Sequence, residues 1–176
     1  MEVNYKDIQL FPVFNTVRHE EMTDDVYFSE ERMICVETLI NVLASVKRFD
    51  EVKIRLTSLL EYAPNSLYVA RILRQVARGY QASGEYEQAY WAYQLYLHSF
   101  TENPFEYDVM IDSGDCLVQL EKTNEAALQF KRASEFSIEP GKKNLANFKA
   151  GEAYYKSGRY IQAAECFAAL IPGVKT

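Results

Sequence analysis

Arg71, Arg74 and Arg78 recur at three- and four-residue spacing, which on a helix sets three guanidiniums in one ladder along a single stripe. A guanidinium offers a carboxylate two parallel N–H donors, so a ladder of this kind suits capture of an acidic peptide. The alternative is internal: Asp108, Asp112 and Asp115 of the next helix would pair with the arginines, or water would solvate them. Catalytic constellations are absent from the sequence. It has no Gly-rich phosphate loop, no metal-ligand spacing and no nucleophile motif, and His19 and His98 stand alone. Cys35, Cys116 and Cys166 are widely spaced and lack a histidine nearby in sequence. They read as small buried hydrophobes of a reducing compartment, not as a zinc or redox set. The expectation is therefore a non-enzymatic chain without cofactor or metal.

The elements that hold such a ladder must come from a chain of 176 residues, enough for one sizeable domain with a continuous core. A net charge of −6 argues against a general affinity for nucleic acid or an anionic membrane. The first ten residues carry Glu2, Lys6 and Asp7 and do not read as a secretory signal. No apolar run is long enough for membrane insertion, so the expected compartment is the cytoplasm. Aromatic residues are abundant, with 13 Tyr and 10 Phe, enough to fill gaps between helices and line a groove.

A repeat organises the chain. Ala89, Ala126 and Ala163 recur every 37 residues, with Tyr93, Phe130 and Phe167 following and Ala77, Gly114 and Gly151 preceding in step. A period of this size marks stacked supersecondary units, each too small to bury its own apolar face. Read backwards, the register reaches Val52 and Leu56, with Phe49 matching Tyr86, Ile40 matching Ala77 and Leu43 matching Tyr80, so a more divergent unit comes first. The pattern predicts helices near 30–45, 50–62, 67–82, 85–99, 104–120, 124–137, 142–156 and 159–170. Ser29, Ser66, Asn103 and Thr123 are expected to cap helix starts, and Pro104 to occupy a first helical position. Ser83-Gly84, Ser157-Gly158, Ala63-Pro64-Asn65 and Glu139-Pro140-Gly141 are expected turns. Residues 1–28 leave the register. Ile8, Leu10, Phe11, Val13, Phe14 and Val17 make this segment apolar, and it is expected to pack on the array, cover a groove or meet another subunit.

These residues resemble the tetratricopeptide repeat (TPR), a helix–turn–helix unit of about 34 residues. The last unit carries the pattern from Gly151 through Ala153, Tyr154, Gly158 and Tyr160 to Ala163 and Phe167. Ala77, Tyr80, Gly84, Tyr86, Ala89 and Tyr93 carry it in the second. The third has Gly114, Leu117, Ala126, Phe130 and Ala133, with Glu121 and Thr123 in place of the glycine and the aromatic. The first keeps Pro64. The resemblance implies an all-α, right-handed superhelical solenoid of about four repeats, near 33–66, 70–103, 107–140 and 144–172. It makes 29–172 one repeat domain after the non-repeat 1–28. The longer period implies an extra helical turn or longer connections.

The resemblance also implies a groove lined by the first helix of each unit, binding a peptide or helix of a protein partner. Carried across by register, the groove holds Glu37 and Asn41, then Arg71, Arg74, Arg78 and Gln81. Asp108, Ile111, Asp115 and Val118 follow, then Leu145, Phe148, Glu152 and Tyr155. Leu145, Phe148, Tyr155 and Ile111 are either pockets for apolar partner side chains or ordinary core. Trp91, off the core positions, either anchors an interface or packs on the neighbouring pair. The branch that clamps chaperone C-terminal carboxylates is a poor fit, since Glu37 and Asp112 stand where Lys or Asn is wanted, although Arg74, Arg78 and Lys149 are basic. Class II chaperones of bacterial type III secretion are similar in size, acidity and aromatic groove, which implies a translocator segment as an alternative ligand. A third expectation is a self-associating scaffold. The chain closes on Phe167, Leu170 and Ile171 without the polar capping helix that arrays use, so a homo-oligomer or a longer parent chain is expected.

Overall fold

The computed structural model describes residues 30–101 and 103–171. The apolar segment from Ile8 to Val17, His19 and the Ser29 cap lie outside the described residues. Two compact units divide the chain between Thr38 and Leu39. Of the first, only the opening turns of one helix are described, and the second carries the array. Among the described residues there are eight helices: α1 Glu30–Ser45, α2 Phe49–Tyr62, α3 Leu67–Ala82, α4 Tyr86–Ser99, α5 Glu106–Gln119, α6 Thr123–Phe136, α7 Pro140–Lys156 and α8 Tyr160–Ala168. From α3 onwards each helix packs on the next. The second helices α2, α4 and α6 have 14 residues each, while the first helices α3, α5 and α7 have 16, 14 and 17. Length in the first helices and in the Phe100–Phe105 connector takes up much of the long period.

The turn inside each pair recurs with the period of the sequence. Lys47, Gly84, Glu121 and Gly158 all adopt left-handed backbone, with φ of 59°, 79°, 60° and 78°. Around each, the next residue's N–H donates five positions back, from Arg48 to Leu43, Glu85 to Tyr80, Lys122 to Leu117 and Arg159 to Tyr154, all at 2.9 Å. The left-handed residue itself donates three back, from Lys47 to Ala44, Gly84 to Gln81, Glu121 to Val118 and Gly158 to Tyr155, all at 3.1 Å. This is the Schellman pattern, which satisfies the last carbonyls of the first helix and turns the chain into the second. The divergent first unit shares it. Two non-glycine residues therefore hold a conformation that favours glycine.

Helix starts depart from the expected caps in two places. Asn103 accepts from Phe105 N–H at 3.0 Å, so it and Pro104 shape a turn ahead of α5, which begins at Glu106. Thr123 is already helical, and Lys122 precedes α6 without a side-chain bond. Ser66 does cap α3, accepting from Val69 N–H at 3.5 Å. Pro140, expected in a turn, takes the first position of α7, where its missing N–H is harmless.

The core follows the repeat. Ala89, Ala126 and Ala163 are buried where α4, α6 and α8 cross their partners. Gly114 and Gly151 let the rings of Phe130 and Phe167 approach so closely that a Cβ at Gly151 would sit 2.7 Å from the Phe167 ring. Cys116 and Cys166 are buried as expected, and burial pushes the Cys116 thiol up to about 12. Cys35 departs from expectation. It is exposed, because Cys35, Thr38, Val42 and Ser45 form the outward stripe of α1.

Candidate functional site

Helix α3 is strongly two-faced. Val69, Ile72, Leu73, Val76, Ala77 and Tyr80 are buried at helical spacing, which turns Arg71, Arg74 and Arg78 to the opposite side. There a cleft of ≈ 580 Å³ is lined by all three arginines together with Leu67, Tyr96, Pro104 and Phe105. The arginine ladder is thus assembled as one wall of a real concavity.

Each arginine has distinct surroundings. The Arg71 guanidinium lies 4.6 Å from the centre of the Tyr68 ring, and that of Arg74 lies 4.1 Å from the centre of Phe105. Tyr68 and Phe105 occupy the same register position in successive units, so a stacking aromatic is a repeated feature of this wall. Arg74 Nε is buried without a hydrogen-bond partner among the described residues. Arg78 is exposed. Both Arg78 and Arg74 act on Asp112. Burial pushes the Asp112 carboxyl above the ordinary range, Arg78 pulls it back, Asp115 pushes it up, Arg74 pulls it down and Asp108 adds a further push. Asp112 also accepts a long bond of 3.5 Å from the Tyr93 hydroxyl, whose main partner is Gln81 Oε1 at 2.7 Å.

The aspartates of α5 do not serve the arginines alone. Asp115 accepts from Lys149 Nζ of α7 at 2.6 and 2.9 Å, a contact that ties two first helices together. Asp108 is half-buried. Ile111 lies in the hydrophobic core at 8% exposure and has little surface to offer. Val118 packs against the same core. Glu37 and Asn41 are half-buried on α1.

On α7 the corresponding positions open outwards. Leu145, Phe148 and Tyr155 are 48%, 46% and 62% exposed, and Glu152 is exposed beside them. Phe148 packs 6.0 Å from Phe167 and Tyr155 5.5 Å from Tyr160, between ring centres. Ile111 and Phe148 share a register, so their contrast reflects place in the array: Ile111 belongs to the core around α7, and among the described residues no further pair follows α8. Trp91 is half-buried beneath Lys53 Nζ of α2, which lies 5.5 Å from its ring, so it meets the neighbouring pair.

Among the lining residues that sequence did not assign to a groove are Leu67, Tyr96 and Phe105, with Pro104 expected there only as a helix start. The available signal was Phe105 in register with Tyr68, directly after Pro104, where an aromatic at a helix start would otherwise be unexplained.

No family model matches the sequence. No curated protein matches it either. Solved structures are similar to it. One contains nearly identical TPR-like repeats, described as a kinesin light chain from Podosopora anserina. It is 14% identical, with a TM-score of 0.55, over 89% of this chain and 78% of that one. Another, BtubC (BKLC) from P. vanneervenii, is 16% identical with a TM-score of 0.55. It is matched over 89% of this chain and only 65% of its own length. The likeness establishes a TPR-type repeat fold. It gives no support to the expected resemblance to secretion chaperones.

Proposed function

We propose that this chain is a non-enzymatic protein-interaction module that takes an extended or helical segment of a partner along the first helices α3, α5 and α7. The observation that carries this reading is the cleft of ≈ 580 Å³ walled by Arg71, Arg74 and Arg78. Arg and aromatic side chains are the types enriched where partners bind most tightly. Asp108, Asp115, Glu152, Phe148 and Tyr155 continue the same helical series and extend the contact along it. A cytoplasmic setting, where thiols stay reduced, suits three unbridged cysteines.

The test is photo-crosslinking with a benzophenone residue placed at Gln75 on α3 or at Glu87 on α4, both exposed. Peptides selected from a random library on the wild-type protein should crosslink at Gln75 and not at Glu87. Crosslinking at Glu87 alone would move the binding face to the second helices.

A second reading is self-association. It is favoured by the exposed Leu145, Phe148, Tyr155, Tyr160 and Ile161 of α7 and α8, an apolar surface that stacking would cover. Sedimentation velocity checks it: a monomer at 100 μM, a concentration of about a hundredfold over a micromolar dissociation constant, removes it.

A further inference from the structure

We infer that the cleft between α3 and the connector leading into α5 is an oxyanion site that receives an acidic residue of the partner segment, flanked by an apolar one. This rests on the groove reading above and gives it a chemical specificity.

Arg74 is the centre of the argument. Its guanidinium is stacked on Phe105, 4.1 Å from the ring centre. A guanidinium held over a ring still has its N–H donors to offer an acceptor. Yet Nε is buried with no hydrogen-bond partner among the described residues. Buried N–H donors are almost always paired, because an unpaired one has lost its water for nothing. A buried, unpaired donor beside a cleft lined by three arginines is one that an incoming acceptor satisfies once the side chain shifts towards it. Arg71 and Arg78 line the same cleft, so the acceptor best suited to it carries negative charge.

Among the described residues no carboxylate bonds Arg74 Nε. Asp115 is held by Lys149 of α7. Asp112 is burdened by burial and by its aspartate neighbours Asp115 and Asp108, and it does not bond Arg74 Nε. Leu67, Tyr96, Pro104 and Phe105 are among the other lining residues, and Leu67 is 74% exposed. This rim favours an apolar residue next to the acidic one. The site differs from a clamp shared among several repeats: its wall comes from one helix pair, α3 with Tyr96 of α4, and the connector that follows it. The oxyanion is the side-chain carboxylate of that acidic residue, and a phosphate or a chain-terminal carboxylate in its place is an outcome of the test.

The experiment uses the full chain and a random twelve-residue peptide library. Selected peptides should carry Asp or Glu beside a large apolar residue. Arg74→Gln and the exposed Arg78→Gln should each weaken binding about tenfold or more while circular dichroism shows the helical fold intact. Arg74→Lys, which keeps the charge but loses the fork, should weaken it too. Synthetic versions of the best peptide assign the source. Loss on Glu→Gln supports the side-chain carboxylate, whereas tighter binding of phosphoserine in its place, or dependence on a free over an amidated end, would overturn it in favour of a phosphate or the terminal carboxylate. Peptides that bind wild type and both Gln variants equally would overturn the oxyanion site and leave the groove reading standing. Failure to select any peptide would take down both.

Discussion

Replacing Glu121 with glycine should stabilise the protein. Glu121 has φ of 60°, the left-handed region in which a Cβ crowds the following carbonyl. That strain is worth about 1–2 kcal/mol for an ordinary L-residue. Glycine removes it but adds unfolded-chain entropy of about 0.5–1 kcal/mol. The net expectation for Glu121→Gly is a gain of about 0.5–1 kcal/mol, or a rise in melting temperature of about 1–4 °C at this chain length. Gly84→Ala runs the comparison backwards. Gly84 has φ of 79° and open space around a built Cβ, so a loss of about the same size comes from the backbone alone. Lys47→Gly should gain less, because Lys47 also pairs with Glu85 at 2.5 Å, a largely exposed contact worth about 0–1 kcal/mol. Urea unfolding with a shared slope measures all three. If Glu121→Gly destabilises while Gly84→Ala is neutral, the recurring left-handed turn is not what sets the conformation of these pairs.

Gly151→Ala should destabilise by about 1–3 kcal/mol, since its Cβ would meet the Phe167 ring at 2.7 Å, and Phe167→Leu in the same chain should recover part of the loss. Asp112→Asn should stabilise the fold at neutral pH. The folded carboxyl holds its proton more tightly than the unfolded one, so its unfavourable effect develops as pH rises through the raised pKa. The gain should therefore shrink as pH is lowered through the raised carboxyl range, and a gain constant down to acid would contradict the burial argument. A thiol reagent should label Cys35 at once in the native protein and reach Cys116 and Cys166 only on unfolding, because the former is exposed and the latter two are buried.

The architecture was readable because stacked helix pairs impose their geometry at every repeat. The alanines at 89, 126 and 163 mark close crossings, and a period that survives three copies leaves few folds to choose from. Helix interiors followed, since burial at helical spacing is written in residue types. Helix starts were less legible. Asn103 and Thr123 have capping side chains, yet the connector from Phe100 decides where α5 begins, and Lys122, set by the Schellman turn, decides where α6 begins. The left-handed turns were visible at Gly84 and Gly158 and hidden at Lys47 and Glu121, where the flanking hydrogen bonds impose what the residue type disfavours. At the site, the arginine ladder was visible because spacing alone sets it. The second wall was not, because Phe105 arrives through the path of a connector and Tyr96 from the buried face of α4. Ile111 and Phe148 show the same limit: one register position is core inside the array and surface at its end.

Amide chemical-shift mapping with one selected peptide tests the central claim most directly. Perturbations should cluster on α3, α5 and α7, strongest around Arg74 and Phe105. Shifts confined to α4, α6 and α8 would contradict it.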